Sequence, residues 1–176
     1  MLSISFLSLA TPLIFDMQLN QGNEDVAHSD QPLKVGNIHI SAPHVYGTAL
    51  QALELQKGSP LSFLNIGSGT GYLMAIVSEI IGPTSLNFGV EIHSDVIDHC
   101  HSALEEWHNA KINSELARPH FEIVLGNGLC ISANIGESIA GFDRIYVGAA
   151  IEREDLIKLV QLLSPGGILV SPGEYG

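Results

Sequence analysis

Residues 62–73 read SFLNIGSGTGYL and contain the clearest structural signal of the chain. A short apolar run ends at Ile66, and glycines follow at alternate positions, Gly67, Gly69 and Gly71. Glycine lets the main chain turn sharply and lets a ligand approach it closely. The segment that comes next predicts a helix whose first N–H groups face the turn. The stretch therefore predicts a strand, a ligand-binding turn and a helix in direct succession.

Strands and helices alternate on both sides of this stretch. We predict apolar strands at Ser62–Ile66, 86–92, Phe121–Leu125, Phe142–Val147 and 168–171, and helices at 43–56, 72–81, 94–107 and 152–163. Strands without polar alternation, separated by helices, favour a parallel sheet that is covered on both faces. The predicted fold class is α/β, with a doubly wound, mostly parallel sheet.

Length and the two ends of the chain suggest its domain organisation. At 176 residues the sequence is long enough for one domain with a substantial core. We assign this domain to residues 26–176 and interpret residues 1–25 as an irregular apolar N-terminal segment. The run 1–15 has no positive charge and is short for a membrane span, so neither a secretory signal nor an anchor is expected. The chain stops soon after its last predicted strand, so we expect the C-terminal edge strands to be missing.

Charge and composition restrict the partners and the compartment. Seven Lys and Arg residues stand against nineteen Asp and Glu residues, which gives a net charge of −12 at pH 7. Such a charge repels phosphate backbones, so nucleic acid is not expected as a main partner. Cys100 and Cys130 are too few for a disulfide framework, and we expect two reduced, buried thiols in a cytoplasmic protein. Hydrophobic residues make up 45% of the chain, which excludes a disordered one.

No metal site is expected from the eight histidines. His99, His101 and His108 fall on one predicted helix, but only His101 and His108 share a face, and they lie two turns apart. A zinc site needs closer geometry and more ligands than this helix offers.

An acid follows the second predicted strand where a nucleoside would be held. Glu91 lies at the carboxyl end of the strand 86–92, twenty residues after Gly71. At the carboxyl edge of a neighbouring strand, a carboxylate accepts hydrogen bonds from both ribose hydroxyls. Dinucleotide-binding turns have the spacing G-x-G-x-x-G, whereas this turn reads G-x-G-x-G. Turn and acid together indicate a nucleoside cofactor, and the spacing of the turn favours S-adenosylmethionine over a dinucleotide.

Two further motifs lie at the same expected edge of the sheet. Asn127 and Gly128 follow the third predicted strand, where the Asn127 amide is suited to an adenine edge. Residues 142–150, FDRIYVGAA, predict a strand followed by small residues that leave room for a ligand. Ligands of doubly wound sheets bind at this carboxyl edge.

The motif IHISAPH at 38–44 leads into the first predicted helix and has two interpretations. Ser41 and His44 have the chemistry of a nucleophile and a base, although no partner acid or G-x-S-x-G context accompanies them. Ser41 is equally suited to be the N-cap of the helix. The residues alone leave both interpretations open.

Six motifs, in order, resemble one known family. They are HISAPH at 39–44, FLNIGSGTGYL at 63–73, GVEI at 89–92, GNG at 126–128, FDRIYVGAA at 142–150 and LLSPGGILVSP at 162–172. Together they are similar to protein-L-isoaspartate O-methyltransferases, and closer still to relatives called isoaspartate-methyltransferase domain-containing proteins. The resemblance covers about residues 26–172 and implies a Rossmann-like, S-adenosylmethionine-dependent methyltransferase fold.

The resemblance also implies an activity and the residues that carry it. The activity is methyl transfer from S-adenosylmethionine to the side-chain carboxylate of an L-isoaspartyl residue, whose ester collapses to a succinimide that reopens in part to aspartate. Ser41 matches the family's active-site serine, and His44 agrees with the enzymes. The implied cofactor-binding residues are Gly67, Ser68, Gly69, Gly71, Glu91, Asn127 and Gly128.

The chemistry of the acceptor agrees with this activity. A carboxylate is already ionised at pH 7, so the reaction needs no general base. We expect the Ser41 hydroxyl and the N–H groups at the start of the helix 43–56 to hold the substrate carboxylate. Positioning and desolvation then supply most of the acceleration.

Two other hypotheses remain open. In the domain-containing relatives a C-terminal extension recruits a ubiquitin-ligase scaffold, so the alternative function is a cofactor-binding, catalytically weak or inactive recognition adaptor. Asn65 and Asn127 stand where the enzymes have acids, and Leu129 stands where they usually have arginine, which favours the adaptor. The third hypothesis is a truncated product that folds poorly, because missing edge strands expose main-chain groups of the sheet.

Overall fold

The structure, a computed structural model, describes residues 30–110, 120–131 and 141–171. Our predictions for residues 1–25 and for strands beyond residue 171 lie outside these ranges. In chain order the elements are β1 (Leu33–Val35), β2 (Ile38–Ile40), α1 (Pro43–Ala52), β3 (Ser62–Ile66), α2 (Tyr72–Ile81), β4 (Leu86–Glu91), α3 (Ser94–Ala110), β5 (Phe121–Leu125), a 3₁₀ helix (Gly128–Cys130), β6 (Phe142–Val147), α4 (Arg153–Val160) and β7 (Leu163–Val170).

Five of the strands form one parallel sheet in the order β5-β4-β3-β6-β7. The chain starts in the middle at β3, builds outward through β4 and β5, and then returns to the other side of β3 with β6. This order confirms the predicted doubly wound α/β fold. The carboxyl ends of β3 and β6 flank the switch point, where ligands bind in such sheets.

The sheet is covered by one apolar core on each face. Phe63 of β3 packs with side chains of α1, α2 and α3, whereas Leu64 and Ile66 pack with Leu159 and Leu162 on the opposite face. Burial on both faces removes the polar alternation that a half-exposed strand shows. The near-continuous apolar strands of the sequence therefore have a direct structural cause.

A β-hairpin, which we did not predict from the sequence, precedes the sheet. β1 pairs antiparallel with β2 through a turn at Gly36 and Asn37. Gly36 has a φ of +58°, which suits the first central residue of a two-residue hairpin turn. The Asn37 side-chain amide donates hydrogen bonds to the Asp95 carboxylate at 3.1 and 3.3 Å, which joins the hairpin to the start of α3.

Five elements differ from their predicted bounds: β4 ends one residue earlier, α3 ends three residues later, and α1, α4 and β7 differ more. Helix α1 ends at Ala52 instead of residue 56, and α4 is shorter than the predicted helix 152–163. Strand β7 begins at Leu163, five residues before the predicted strand that started at 168. Its register against β6 shifts once, and Gly166 has a φ of +82°. The Ser-Pro-Gly-Gly stretch is thus an irregularity within an edge strand, which tolerates proline and glycine, and not a break before it.

Asp143 joins three strands of the sheet. Its carboxylate accepts hydrogen bonds from the Ser62 N–H and hydroxyl, both at 2.9 Å, and from the Ser164 hydroxyl at 2.8 Å. Burial pushes the pKa of Asp143 upward, but these hydrogen bonds and the charge of Arg144 outweigh burial, and the pKa is lowered. The ionised carboxylate therefore holds β3, β6 and β7 together.

Candidate active site

The turn after β3 has the conformation that its three glycines permit. Gly67, Gly69 and Gly71 have φ values of +73°, +56° and +78°, a region that other residues rarely adopt. The N–H groups of Gly67 and Ser68 donate to the Val90 carbonyl at 2.8 and 3.1 Å, which anchors the turn on β4. Gly71 then serves as the N-cap residue of α2. The sequence motif thus folds into the ligand-binding turn that it predicts.

The Glu91 carboxylate closes this turn from the neighbouring strand. Its Oε2 accepts a hydrogen bond from the Gly69 N–H at 3.0 Å, and its Oε1 accepts from the Ile92 and His93 N–H groups at 2.9 and 3.1 Å. The residue is buried. A carboxylate has about four lone-pair sites, so three main-chain donors leave one for a ligand hydroxyl. Glu91 therefore fixes the turn and still offers an acceptor.

The segment after β5 approaches β3 closely. A Cβ on Gly128 would lie 2.3 Å from the Ile66 Cγ2, so only glycine fits there without a shift. Asn127 is exposed, and its side-chain oxygen accepts a hydrogen bond from the Leu129 N–H at 2.9 Å, which caps the 3₁₀ helix. The predicted adenine-binding segment, Asn127 and Gly128, thus packs closely against the end of β3.

A cavity of about 420 Å³ opens at the carboxyl ends of the central strands. We call it the larger cavity; its volume is typical of small-molecule sites. Glu91, Glu152 and Asp155 contribute carboxylates, and no Lys or Arg of the described ranges lines it. This lining suits sugar hydroxyls or a positive charge and disfavours phosphate groups.

A second cavity, which we call the narrower cavity, adjoins the first and has a volume of about 30 Å³. Ser41 lines it, and most of the side chains around it are polar but uncharged. The two cavities share four lining residues, His39, Gly67, Gly69 and Gly148. The partition between them therefore consists mainly of glycine main chain.

Ser41 lies between β2 and α1 and does not cap the helix. The N-cap residue is Ala42, and it makes no side-chain cap, so the capping interpretation of Ser41 is wrong. The Ser41 N–H donates to the phenolic oxygen of Tyr46 at 3.0 Å. The Tyr46 ring packs edge-on against Tyr72, with ring centroids 5.1 Å apart. Burial raises the pKa of Tyr46, and its hydrogen bonds with Ser41 oppose this rise only in part.

His44 lies outside the lining of both cavities. It is exposed on the first turn of α1, and its Nδ1 lies 2.9 and 3.0 Å from the two carboxylate oxygens of Asp30. The His44 N–H also donates to Asp30, at 3.0 Å, and these hydrogen bonds lower the pKa of Asp30. One of the N–H groups that we expected to hold a substrate carboxylate is therefore engaged by Asp30.

Two buried polar atoms at the narrower cavity have no hydrogen-bond partner in the described part of the chain. They are Asn65 Oδ1 and Ser68 Oγ, on residues that are 2% and 5% exposed. A buried polar atom without a partner costs about 1–3 kcal/mol, which a ligand with a suitable donor would offset. Their position next to the glycine turn indicates a site that is built for a ligand.

Most of the predicted site residues surround the two cavities. Those in the lining are Ser41, Gly67, Ser68, Gly69, Glu91, Asn127 and Gly128. Gly71 instead packs behind the turn, where a Cβ would lie 2.7 Å from the Cys100 Sγ. The sequence did not single out other lining residues, among them Asn37, His39, Tyr46, Tyr146, Glu152 and Asp155. The available signal for Tyr146 was its place in the FDRIYVGAA motif, and that for Tyr46 was its place two residues after the HISAPH motif.

The two thiols differ in burial. Cys100 is buried, and burial together with the nearby charge of Glu91 raises its pKa to about 12. Cys130 is exposed, so the expectation of two buried thiols is wrong for this residue. Within the described ranges, no three His, Cys, Asp or Glu side chains are grouped to hold a metal ion. No helix of those ranges has the length and apolar character that a membrane crossing requires.

A doubly wound parallel sheet with a glycine turn after its central strand and a carboxylate at the end of the neighbouring strand is typical of the Rossmann-like methyltransferase fold. The family model "Protein-L-isoaspartate(D-aspartate) O-methyltransferase (PCMT)" matches residues 17–175, and the chain belongs to this family. Protein-L-isoaspartate O-methyltransferase 1 of Arabidopsis thaliana is 33% identical over 147 residues, which is 83% of this chain. Protein-L-isoaspartate O-methyltransferase of Methanococcus maripaludis is 33% identical over 156 residues, which is 88% of this chain.

The comparison of structures agrees with the comparison of sequences. A Plasmodium falciparum protein assigned to the same family, solved in complex with S-adenosyl-L-homocysteine, superposes with a TM-score of 0.63. The superposition covers 97% of this chain and 85% of that one at 23% identity, which shows a shared fold. The chain spans 60% and 66% of the lengths of the Arabidopsis and Methanococcus relatives. The family expected from the six motifs is confirmed.

Proposed function

We propose that the chain transfers a methyl group from S-adenosylmethionine to the side-chain carboxylate of L-isoaspartyl residues in damaged proteins, as a protein-repair enzyme. The observation that carries the proposal is the shared partition of the two cavities, His39, Gly67, Gly69 and Gly148. A substrate carboxylate bound at Ser41 in the narrower cavity would lie next to a nucleoside cofactor bound in the larger cavity, with only this partition between them. Family membership and relatives named for this activity support the proposal.

The described residues fit S-adenosylmethionine as the cofactor. Glu91 has an acceptor site for a ribose hydroxyl, and Glu152 places further negative charge at the same cavity, whereas the Asp155 carboxylate is paired with Lys158 at 2.6 Å. The buried Asn65 Oδ1 is an acceptor of the kind that an ammonium group satisfies. When bound, the cofactor supplies a methyl group on a positively charged sulfur. The complex of the Plasmodium relative with S-adenosyl-L-homocysteine supports this assignment.

The chain's own residues have to place a carboxylate and do not have to remove a proton. The acceptor is ionised at pH 7, so Ser41 acts as a hydrogen-bond donor to it and not as a base. The net charge of −12 opposes an anionic substrate at long range. Short-range donors such as the Ser41 hydroxyl and the exclusion of water from a narrow cavity must therefore provide the local binding.

A second candidate function is a recognition adaptor that binds cofactor and isoaspartyl proteins with little or no methyl transfer. The observation that favours it is Asn65, a neutral amide buried in the central strand where the enzymes' pattern has an acid. Asn127 and Leu129 depart in the same direction. Components of a ubiquitin ligase would then be its partners. The free thiols Cys100 and Cys130 support a cytoplasmic setting for either function.

The experiment that tests the proposal measures cofactor binding and methyl transfer in parallel. The purified chain is titrated with S-adenosyl-L-homocysteine by calorimetry and assayed with radiolabelled S-adenosylmethionine and an isoaspartyl peptide. We expect binding and a base-labile methyl group on the peptide. Binding without transfer supports the adaptor, and a folded chain that does not bind contradicts both functions.

Ser41→Ala tests the role of the serine within the same experiment. Loss of a hydrogen bond to a charged group lowers kcat/KM by about ten- to a hundredfold, while S-adenosyl-L-homocysteine binding is retained. Thr48→Val is the control, because it removes a hydroxyl from the exposed side of α1. Unchanged transfer in Ser41→Ala would contradict the proposed role of Ser41.

A further inference from the structure

The two cavities differ in the electrostatic character of their linings. Glu91, Glu152 and Asp155 line the larger cavity, whereas in the described ranges no Asp, Glu, Lys or Arg lines the narrower one. The narrower cavity instead has hydroxyl groups, among them those of Ser41 and Tyr146. A carboxylate avoids the carboxylates of the larger cavity and finds neutral donors in the narrower one. The hydroxyl side of this lining therefore suits an anionic group, whereas Asn65 Oδ1 is the acceptor that an ammonium group satisfies.

Tyr146 brings a hydroxyl to this cavity from the sheet itself. It lies on β6 directly beside Asn65 of β3, and it is 4% exposed. Burial, with a contribution from Tyr46, raises its pKa to about 12, so the phenol stays protonated at pH 7. Tyr146 lines the narrower cavity, and none of the hydrogen bonds among the described residues involves its hydroxyl. The proton of this hydroxyl is thus available to a ligand.

Tyr46 holds Ser41 from the side of the helix. Its phenolic oxygen accepts the Ser41 N–H at 3.0 Å, and its ring packs against Tyr72. This hydrogen bond joins Ser41, just before the start of α1, to Tyr46 within α1. Because the main chain of Ser41 is held, the direction of its side chain is restricted as well.

We propose that Tyr146 is a second hydroxyl donor to the acceptor carboxylate, beside Ser41, and that Tyr46 is the positioning residue for Ser41. This inference rests on the proposed function and deepens it. Two neutral donors hold one carboxylate oxygen without removing the charge of the group, so the other oxygen stays nucleophilic. Neither tyrosine gains or loses a proton. The amino-acid part of the cofactor also has a carboxylate, and the experiment separates these two sources.

Tyr146→Phe tests the inference, since it removes the hydroxyl and keeps the ring. Binding of the isoaspartyl peptide is measured on the chain saturated with S-adenosyl-L-homocysteine, together with kcat and KM of methyl transfer. We expect the peptide Kd and the KM to rise about tenfold or more, with S-adenosyl-L-homocysteine affinity unchanged within about twofold. The preference for the isoaspartyl peptide over its side-chain amide analogue should also shrink. Thr48→Val is the matched control, and retained S-adenosyl-L-homocysteine binding shows that each variant is folded.

The outcomes separate this inference from the function on which it rests. If the unmodified chain methylates the peptide but Tyr146→Phe binds and turns it over equally well, only the inference fails. Weaker S-adenosyl-L-homocysteine binding with an unchanged KM would assign the hydroxyl to the cofactor's carboxylate and overturn it. If the unmodified chain neither binds nor methylates the peptide, the proposed function and the inference both fail.

The role of Tyr46 is tested in a double-mutant cycle with Ser41. If Tyr46 acts by placing the serine hydroxyl, Tyr46→Phe raises the KM in the unmodified chain but has no further effect in the Ser41→Ala background. A purely structural role of Tyr46 would instead lower transfer equally in both backgrounds. Equal losses would overturn the positioning role while leaving the assignment of Tyr146 in place.

Discussion

Gly128 and Gly47 differ in how much space surrounds them, so alanine substitutions at the two positions have opposite expected effects on stability. A Cβ on Gly128 would lie 2.3 Å from the Ile66 Cγ2, whereas a Cβ on Gly47, in helix α1, would meet nothing within 4 Å. We expect Gly128→Ala to lower the free energy of unfolding by about 1–3 kcal/mol, because the added methyl group overpacks the end of β3. Gly47→Ala should raise it by about 0.5–1 kcal/mol, because alanine favours the helix.

Urea denaturation of the two variants measures both effects. S-adenosyl-L-homocysteine titration of Gly128→Ala shows, in addition, whether the larger cavity keeps its shape. A Gly128→Ala variant as stable as the unmodified chain would mean that the segment after β5 moves away from Ile66 at little cost.

At the level of single residues, part of the site was predicted from the sequence and part was not. Gly67, Gly69 and Glu91 were predicted because a local motif and a fixed spacing carry their chemistry. The contacts of Tyr46 with Ser41 and of His44 with Asp30 were not predicted. They depend on the angle between the hairpin and α1, for which no local pattern exists.

Asp143 acts at the scale of elements, because it couples the central strand β3 to β6 and β7. Its folded-state pKa is lowered, so its ionised form contributes stability above the ordinary aspartate pKa, and this contribution is lost as the pH falls through the folded-state value. We expect Asp143→Asn to lower the free energy of unfolding by about 1–2 kcal/mol at pH 7. The difference from the unmodified chain should shrink below about pH 4.

Chemical denaturation at neutral and acidic pH checks this expectation. Asp98→Asn is the control, because Asp98 is exposed on α3, and we expect a change within about 0.5 kcal/mol. A deficit of Asp143→Asn that persists unchanged in acid would mean that packing, and not the carboxylate charge, holds the three strands.

Elements were predicted well where their pattern is long or strongly apolar. The helix α2 and the strands β3 and β6 have the predicted bounds, because they pack into the two cores. The edge strand β5 also has its predicted bounds, although Val124 and Leu125 are exposed. The β1–β2 hairpin was missed, since strands of three residues are too short to show a period of two. The early start of β7 was missed because proline and glycine ordinarily end strands, and only its position at the edge of the described sheet allows them.

At the scale of the whole molecule, the charge of −12 sets the long-range field that a peptide meets. Salt screens such a field, since the Debye length falls from about 30 Å at 10 mM to about 10 Å at 0.1 M. We expect the KM for an acidic isoaspartyl peptide to fall several-fold as sodium chloride rises from about 10 mM to about 0.3 M. The KM for the same peptide flanked by lysines should rise over that range.

Steady-state assays of the two peptides at constant pH check this expectation, with kcat as the internal reference. Equal salt dependence of both peptides would assign the effect to the stability of the protein and not to steering. A KM that does not change with salt for either peptide would contradict a role of the overall charge.

The glycine partition between the cavities has a consequence for how this protein can change over generations. A Cβ on Gly148 would lie 3.0 Å from the Gly67 carbonyl oxygen, and a Cβ on Gly67 would lie 3.3 Å from the Ala149 Cβ. A side chain at either of these two glycines would therefore crowd the neighbouring residues, which restricts substitution at the boundary. Under the proposed function, substitutions at Tyr46 and Tyr146 would change substrate binding, and substitutions on the other side would change cofactor binding. The two properties would then be adjustable separately on either side of a fixed boundary.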